Sequence, residues 1–146
     1  MGNLILHHIS NPAHANRQIH FYASSGGNAG LAAVCAAKSL SYPCTVVLPT
    51  TTSPLMVQKI RAAGATDIIQ YGDTIAAAGE HMKNLLLQTE EPRSDDIVKI
   101  ALHPFDHEAI WEGNSTIVDE LTKQLPPKQG CLFCRLRKPY RQAAGS

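Results

Sequence analysis

Apolar residues along this chain alternate between short runs and longer stretches in which they return every three or four positions. The short runs are rich in β-branched and aromatic residues, which is typical of strands. They lie at 19–23, 45–48, 66–71 and 97–100. The longer stretches have the helical period and lie at 28–40, 54–63, from 74, and from 106 to 125. This alternation predicts an α/β fold, with a parallel sheet and helices on both faces.

Turn and capping residues predict where these helices begin and end. Ser53 supplies a hydroxyl cap directly before Pro54, an arrangement that favours a helix start. Gly64 follows the last residue of that helix, where glycine is common. Asp73 and Asp106 are the predicted caps of the next two helices. The last helix carries its apolar residues on one face: Ile110, Ile117, Leu121 and Leu125.

The charge of the chain changes near Lys128. The 146 residues, about the length of one domain, have a net charge of +1. Residues 1–127 carry 8 Lys and Arg against 12 Asp and Glu, a net −4, whereas 128–146 carry 5 basic residues and no acid, a net +5. A basic end can bind nucleic acid or an acidic membrane surface. Because the preceding residues are acidic, we favour a segment that lies outside the fold, and we expect neither nucleic acid nor membrane as a partner.

Composition excludes several classes of protein. Apolar residues make up 44% and charged residues 17%, so the chain is neither disordered nor highly charged. It has no run of about 18 apolar residues that could span a membrane. Its first residues lack the basic and apolar regions of a signal peptide. Four cysteines do not form a disulfide framework in a chain of this size, so we expect a protein of the reducing cytoplasm.

Two kinds of residue could indicate a metal or redox site. Cys131 and Cys134 form a C-x-x-C pair, but zinc needs a second ligand pair. His7 and His8 are neighbours in the first helix, and sequence neighbours do not share a helix face. We therefore expect no metal site. His20, inside a strand, is predicted to be a hydrogen-bonded core or edge residue.

The loop at 24–30 carries the clearest candidate chemistry. It reads Ser-Ser-Gly-Gly-Asn-Ala-Gly and lies between a strand and the first turn of a helix. The free N–H groups and the dipole of a helix N-terminus favour an anion, and glycines let the backbone approach a ligand closely. The loop lacks the G-x-G-x-x-G spacing of dinucleotide sites. A carboxylate or phosphate site is one reading, and a tight turn with no ligand is the other.

This loop resembles the substrate loop of the catabolic L-serine/L-threonine dehydratases. Those proteins are pyridoxal-phosphate enzymes of the tryptophan-synthase-β-like fold. The resembling segment reads Phe-Tyr-Ala-Ser-Ser-Gly-Gly-Asn-Ala-Gly-Leu-Ala-Ala at 21–33. The resemblance extends over residues 2–129 and includes the segments 46–49, 59–65, 103–106 and 110–114. It implies an incomplete fold-type-II pyridoxal-phosphate enzyme, with most of the small domain and part of the large one.

The resemblance also implies an activity and roles for individual residues. The family eliminates the β-hydroxyl of serine or threonine, which gives a 2-oxo acid and ammonia, and pyridoxal 5'-phosphate takes up the electrons. By resemblance, Ser25, Gly26, Asn28 and Ala29 bind the substrate carboxylate. Asn28 also hydrogen-bonds the phenolic oxygen of the cofactor. Ser24 is expected to support the loop.

Two family features are missing from the sequence. The Schiff-base lysine of the family lies in a Ser-Phe-Lys-Ser-Arg-Gly motif just before the first helix, and no lysine here has that motif around it. The glycine run that holds the cofactor phosphate does not follow Gly130. We therefore expect a partial domain at 1–129, without a catalytic residue, and an aberrant, disordered basic tail at 130–146.

These gaps lead to two functional hypotheses. In the first, the chain is a fragment of a lyase and is inactive by itself. In the second, it is a non-catalytic chain that pairs with the full-length enzyme or another partner. The family that this chain resembles often forms dimers, so pairing of two copies of this chain is a further possibility.

Overall fold

The computed structural model describes residues 1–15, 17–87 and 97–124. Its strands are β1 Gln18–Ser24, β2 Cys44–Leu48, β3 Asp67–Gln70 and β4 Ile97–Leu102. Its helices are α1 Gly2–Ile9, α2 Asn28–Ser39, α3 Pro54–Ala63, α4 Ile75–Leu87 and α5 Glu108–Gln124. A single 3-10 turn, Pro12–His14, lies between α1 and β1.

The chain divides into two compact units, Met1–Ile110 and the segment from Trp111 onward. The first contains the whole sheet. The second is described as the helical stretch that ends at Gln124. The predicted tail at 130–146 lies outside the described residues, and so does its C-x-x-C pair.

The four strands form one parallel sheet in the order β3-β2-β1-β4. Phe21, in the central strand, pairs with Cys44 on one side and with Ile100 on the other. The strand order reverses at β1, because β2 and β3 extend the sheet to one side and β4 adds to the other. In open α/β sheets, ligands bind outside the carboxyl ends of the strands at such a reversal. The β1–α2 loop lies at this place.

Helices cover both faces of the sheet, as the sequence predicts. On one face, Phe21 packs in a cluster with Leu4 of α1, Val34 of α2 and Ile60 of α3, all of them buried. On the other face, Val47 packs against Ala78 and Met82 of α4, with partly buried residues around them. The alternation of side chains along each strand delivers apolar groups to both helix layers. β2 is buried along its entire length, as expected for an inner parallel strand.

The second face also holds a small polar group, which confirms the prediction for His20. The Nε2 atom of His20 lies 2.9 Å from the Thr45 hydroxyl, and its ring stacks on Tyr22 at 4.7 Å. The Nζ atom of Lys99 donates to the Leu85 carbonyl at 3.3 Å. Burial, and then the charge of Lys99, lower the pKa of His20, so its ring stays neutral and hydrogen-bonded.

The predicted start and end of α3 are confirmed. The Ser53 hydroxyl accepts from the Met56 N–H at 3.4 Å, directly before Pro54. Gly64 ends the helix with φ 103°, a left-handed conformation that suits glycine.

The predicted caps of α4 and α5 are wrong by one residue each. The Thr74 hydroxyl accepts from the Ala77 N–H at 3.1 Å, while the Asp73 carboxylate accepts from Thr50 instead. At α5, the Nδ1 atom of His107 accepts from the Ala109 N–H at 3.1 Å. Each helix begins one residue later than it would if the aspartate were the cap. The Asp73 carboxylate and the Asp106 N–H instead form hydrogen bonds with Thr50 and His103.

Four histidines from three parts of the sequence meet beside α1. The rings of His7 and His8 lie 5.2 and 5.8 Å from that of His107, and His8 lies 6.1 Å from His14. The prediction that His7 and His8 do not share a helix face did not anticipate that both rings would lie near His107, the residue directly before α5. Across the described residues, no group of three or more His, Cys, Asp and Glu side chains is placed to hold a metal ion.

This histidine cluster is expected to make the fold less stable in mild acid. Burial, and then the charges of His107, His7 and His14, lower the pKa of His8. The unfolded chain binds this proton more readily than the folded one, so the stabilisation is complete above the ordinary histidine pKa of about 6.5 and is lost as the pH falls below it. Denaturant unfolding at about pH 7.5 and about pH 5 checks this, and the loss of stability is expected to be smaller in His8→Gln.

The matched control is His81→Gln on α4, whose ring stacks on Tyr71 at 3.9 Å. It is expected to keep the pH dependence of the unchanged chain. An equal loss of stability in the His8 variant and the unchanged chain contradicts the role given to His8.

Candidate functional site

Three loops meet at the carboxyl edge of the sheet. The β1–α2 loop covers 25–27, the β2–α3 loop 49–53 and the β3–α4 loop 71–74. Thr50 donates from its backbone N–H and from its hydroxyl to the Gly72 carbonyl, at 2.8 and 3.0 Å. The Thr51 hydroxyl donates to the Asp73 carbonyl at 3.2 Å. The second and third loops are therefore fastened together, and the first lies beside the second.

Two serines introduce the β1–α2 loop. The Ser24 Oγ atom is buried and has no hydrogen-bond partner among the described residues. It lies close to Gly79 of α4, where an added Cβ would be 3.6 Å from it. The Ser25 Oγ atom accepts from the Gly27 N–H at 3.3 Å. Because that oxygen acts as an acceptor here, the hydrogen of the Ser25 hydroxyl remains available to an anion.

Two of the glycines are required by close contacts. A Cβ on Gly26 would lie 2.5 Å from the Thr52 hydroxyl oxygen. A Cβ on Gly30 would collide with the Ser25 backbone carbonyl and lie 3.4 Å from Val46. A Cβ on Gly27 would meet only the Ser25 hydroxyl, at 3.9 Å. The loop thus folds tightly against β2 and the β2–α3 loop, while its backbone stays open at Gly27.

The N-terminus of α2 has the character of an anion site. Gly27 is the N-cap, no side chain caps the helix, and its first turn contains no acidic residue. The first N–H groups, including those of Asn28 and Ala29, have no partner in the preceding turn of the helix. Asn28 is exposed and Ala29 is half-buried. The structure therefore brings Ser25, Gly26, Asn28 and Ala29 together, and the role of each remains a prediction.

The sequence profile of the family described as "Pyridoxal-phosphate dependent enzyme" matches residues 2–136. This chain belongs to that family. An L-serine dehydratase of Saccharomyces cerevisiae is 44% identical, over 86% of this chain and 36% of the relative. An L-serine dehydratase/L-threonine deaminase of Bos taurus is 35% identical, over 77% and 32%. The chain spans about a third of the length of these relatives.

Solved structures agree with this assignment. A fungal L-serine ammonia-lyase from Rhizomucor miehei has a TM-score of 0.60 and 32% identity, over 77% of this chain and 33% of that one. A cysteine synthase from Entamoeba histolytica has a TM-score of 0.72 and 16% identity, over 88% and 35%, and shows the fold alone. The predicted family and α/β fold are confirmed. The boundary predicted at 129 stays a prediction.

The described residues fit the part of pyridoxal phosphate that faces the substrate loop. An open backbone at Gly27, an exposed amide on Asn28 and an uncapped helix suit a flat ring that carries an anion. Two of the lysines lie away from this loop. Lys38 lies against Gly64, where α2 and α3 end, and Lys99 bonds to Leu85 beneath α4.

The two cysteines of the described part are free thiols, Cys35 exposed and Cys44 buried. Burial raises the pKa of Cys44 to about 12, so this thiol stays protonated and is no nucleophile at neutral pH. Among the described helices, none combines the length and the apolar character needed to cross a bilayer.

Proposed function

We propose that this chain is the substrate-binding part of a pyridoxal-phosphate-dependent L-serine/L-threonine ammonia-lyase. The proposal rests on the N-terminus of α2, which follows the glycine-containing β1–α2 loop and has no side-chain cap. The chain also belongs to the family of pyridoxal-phosphate-dependent enzymes. Relatives named L-serine dehydratase, at 44% and 49% identity, support the choice of substrate. When bound, the cofactor supplies the electron sink for the β-elimination that yields a 2-oxo acid and ammonia.

The residues of the loop bind and orient the substrate. The Ser25 hydroxyl and the backbone N–H groups of Gly26, Asn28 and Ala29 hold the α-carboxylate of the amino acid. The Asn28 side-chain amide would hydrogen-bond the phenolic oxygen of the cofactor. Charge-assisted bonds of this kind fix the carboxylate in one orientation, which also fixes the direction of the Cα and β-carbon bonds.

The chain alone is proposed to bind amino acids weakly and to catalyse nothing. Neither Lys38 nor Lys99 lies at the loop, and a catalytic group must lie within about 3 Å of the atom on which it acts. Large apolar side chains are exposed near the carboxyl edge: Leu55, Tyr71, Ile75 and Phe105. We propose that they pair with the remaining part of the enzyme, whether in a full-length copy or in a homodimer.

We also place the protein in the cytoplasm, in amino-acid catabolism. The free thiols of Cys35 and Cys44 support a reducing compartment. The relative named as a catabolic L-serine/threonine dehydratase, 42% identical, supports the catabolic role.

Amide NMR of the chain titrated with L-serine tests the proposal. The amides of the β1–α2 loop and of Asn28 and Ala29 are expected to shift, with a Kd of about 1 mM or weaker, equivalent to about −4 kcal/mol. Ser25→Ala is expected to weaken binding by about tenfold, because it removes one charge-assisted bond. Ser39→Ala is the matched control, since that hydroxyl donates to the Cys35 carbonyl at the other end of α2. Shifts that avoid the loop would contradict the proposal.

A further inference from the structure

Four consecutive hydroxyl residues form the β2–α3 loop, and one of them differs from the others. Thr50 and Thr51 donate to the β3–α4 loop, and Ser53 caps α3. Thr52 uses its backbone N–H to donate to the Pro49 carbonyl at 3.0 Å. Within the described ranges, the Thr52 hydroxyl is assigned no hydrogen bond. Among these four described residues, it is the one whose hydroxyl neither joins the loops nor caps the helix.

The Thr52 side chain lies directly against the substrate loop. Its Oγ1, Cγ2 and Cβ atoms lie 2.5, 2.9 and 3.3 Å from the position that a Cβ on Gly26 would take. Thr52 is half-buried. Its hydroxyl therefore lies beside Gly26, in the loop whose backbone N–H groups are proposed to bind the substrate.

The backbone beneath Thr52 is held in place before any ligand arrives. Thr50, on one side, bonds to Gly72 and Asp73, and Ser53, on the other, begins α3. A side chain on such a fixed backbone loses little conformational freedom when it binds, so more of the hydrogen-bond energy appears as affinity.

We propose that Thr52 is a further substrate-binding residue, whose hydroxyl donates to the α-carboxylate held by the β1–α2 loop. This inference rests on the proposed function of that loop. A carboxylate has two oxygens and about four acceptor positions, so it can accept from a further hydroxyl besides the donors of the loop and helix. Thr52 supplies that hydroxyl beside Gly26.

Substitutions at Thr52 separate the hydroxyl from the shape of the side chain. Thr52→Val keeps the branched shape and removes the hydroxyl, and it is expected to weaken L-serine binding by about tenfold or more, the value of a hydrogen bond to a charged group. Thr52→Ser keeps the hydroxyl, and its Kd for L-serine is expected to stay within about twofold of that of the unchanged chain. This change is much smaller than the effect of losing a hydrogen bond to a charged group. Binding is read from the loop amides by NMR titration.

Thr51→Val is the matched control, because its hydroxyl donates to the Asp73 carbonyl and not toward the substrate loop. It is expected to lower stability while the Kd for L-serine stays the same. Thermal unfolding is measured for every variant, and Thr52→Ala replaces Thr52→Val if the latter does not fold.

The outcomes distinguish this inference from the proposal on which it rests. If the unchanged chain gives no shift at the loop amides, the proposed function fails and this inference fails with it. If the unchanged chain binds and Thr52→Val binds equally well, the inference alone is overturned. Tenfold weaker binding in Thr52→Val, with binding retained in Thr52→Ser, supports it.

Discussion

Replacing Gly30 with alanine is expected to destabilise the chain by about 3 kcal/mol, because overpacking against a fixed backbone has no cheap relief. Gly30 is buried in the first turn of α2. An added Cβ would collide with the Ser25 backbone carbonyl and would lie in contact with Val46 of β2, at 3.4 Å. The loop would have to move away from the sheet, so the variant is expected to lose L-serine binding as well. Denaturant unfolding and the NMR titration measure the two effects.

A loss of stability at Gly30 would be informative, because it is opposite to the usual effect of this substitution in a helix. Glycine-to-alanine substitutions inside helices ordinarily stabilise a protein by about 1 kcal/mol. Gly79→Ala in α4 is the matched control, because its Cβ would meet only the Ser24 hydroxyl, at 3.6 Å. We expect that variant to be slightly more stable than the unchanged chain. Stabilisation by Gly30→Ala as well would mean that the β1–α2 loop does not pack as described.

Replacing Phe21 with alanine is expected to cost about 4 kcal/mol, the usual range for a buried phenylalanine. Phe21 is 0% exposed in the central strand, and its ring lies 5.8 Å from that of Tyr42, edge to face. It also packs among the residues that hold α1 and α2 on the sheet. Because whole domains are stable by roughly 5–15 kcal/mol, this loss removes a large share of the free energy of unfolding, and the midpoint of thermal unfolding, measured by circular dichroism, is expected to fall markedly.

Phe105→Ala is the matched control for Phe21. This side chain is 74% exposed in the loop that follows β4. Changes at exposed positions usually stay within about 0.5 kcal/mol, so we expect the control to remain folded. A loss as large as that of Phe21→Ala would contradict the position assigned to the core.

Most of the secondary structure could be predicted from local pattern. Each strand was found within one or two residues of its observed bounds, because apolar runs of this length bury themselves between helix layers. Both ends of α3 were predicted, because the capping by Ser53, Pro54 and Gly64 involves only residues close to them in the sequence. The caps of α4 and α5 were missed because Asp73 and the backbone of Asp106 take partners outside their helices.

The candidate site was only partly predictable. The loop at Ser25–Asn28 was found because its chemistry depends on a local strand-to-helix turn. Thr52 was missed, because the role proposed for it depends on the contact with Gly26, which is 26 positions away in the sequence. The histidine cluster was missed for the same reason, since His107 is about 100 positions from His7 and His8 in the sequence and meets them only in the folded chain.

The sequence by itself determined the α/β alternation, the helix ends of α3 and the position of the candidate loop between β1 and α2. Each of these follows from residues that interact within a few positions of one another. Only the tertiary structure decided the strand order β3-β2-β1-β4, the fastening of the carboxyl-edge loops and the surroundings of Gly26, Gly30 and His8. Those features depend on contacts between distant segments, and such contacts are set by how the helices and loops pack around the sheet, not by local periodicity.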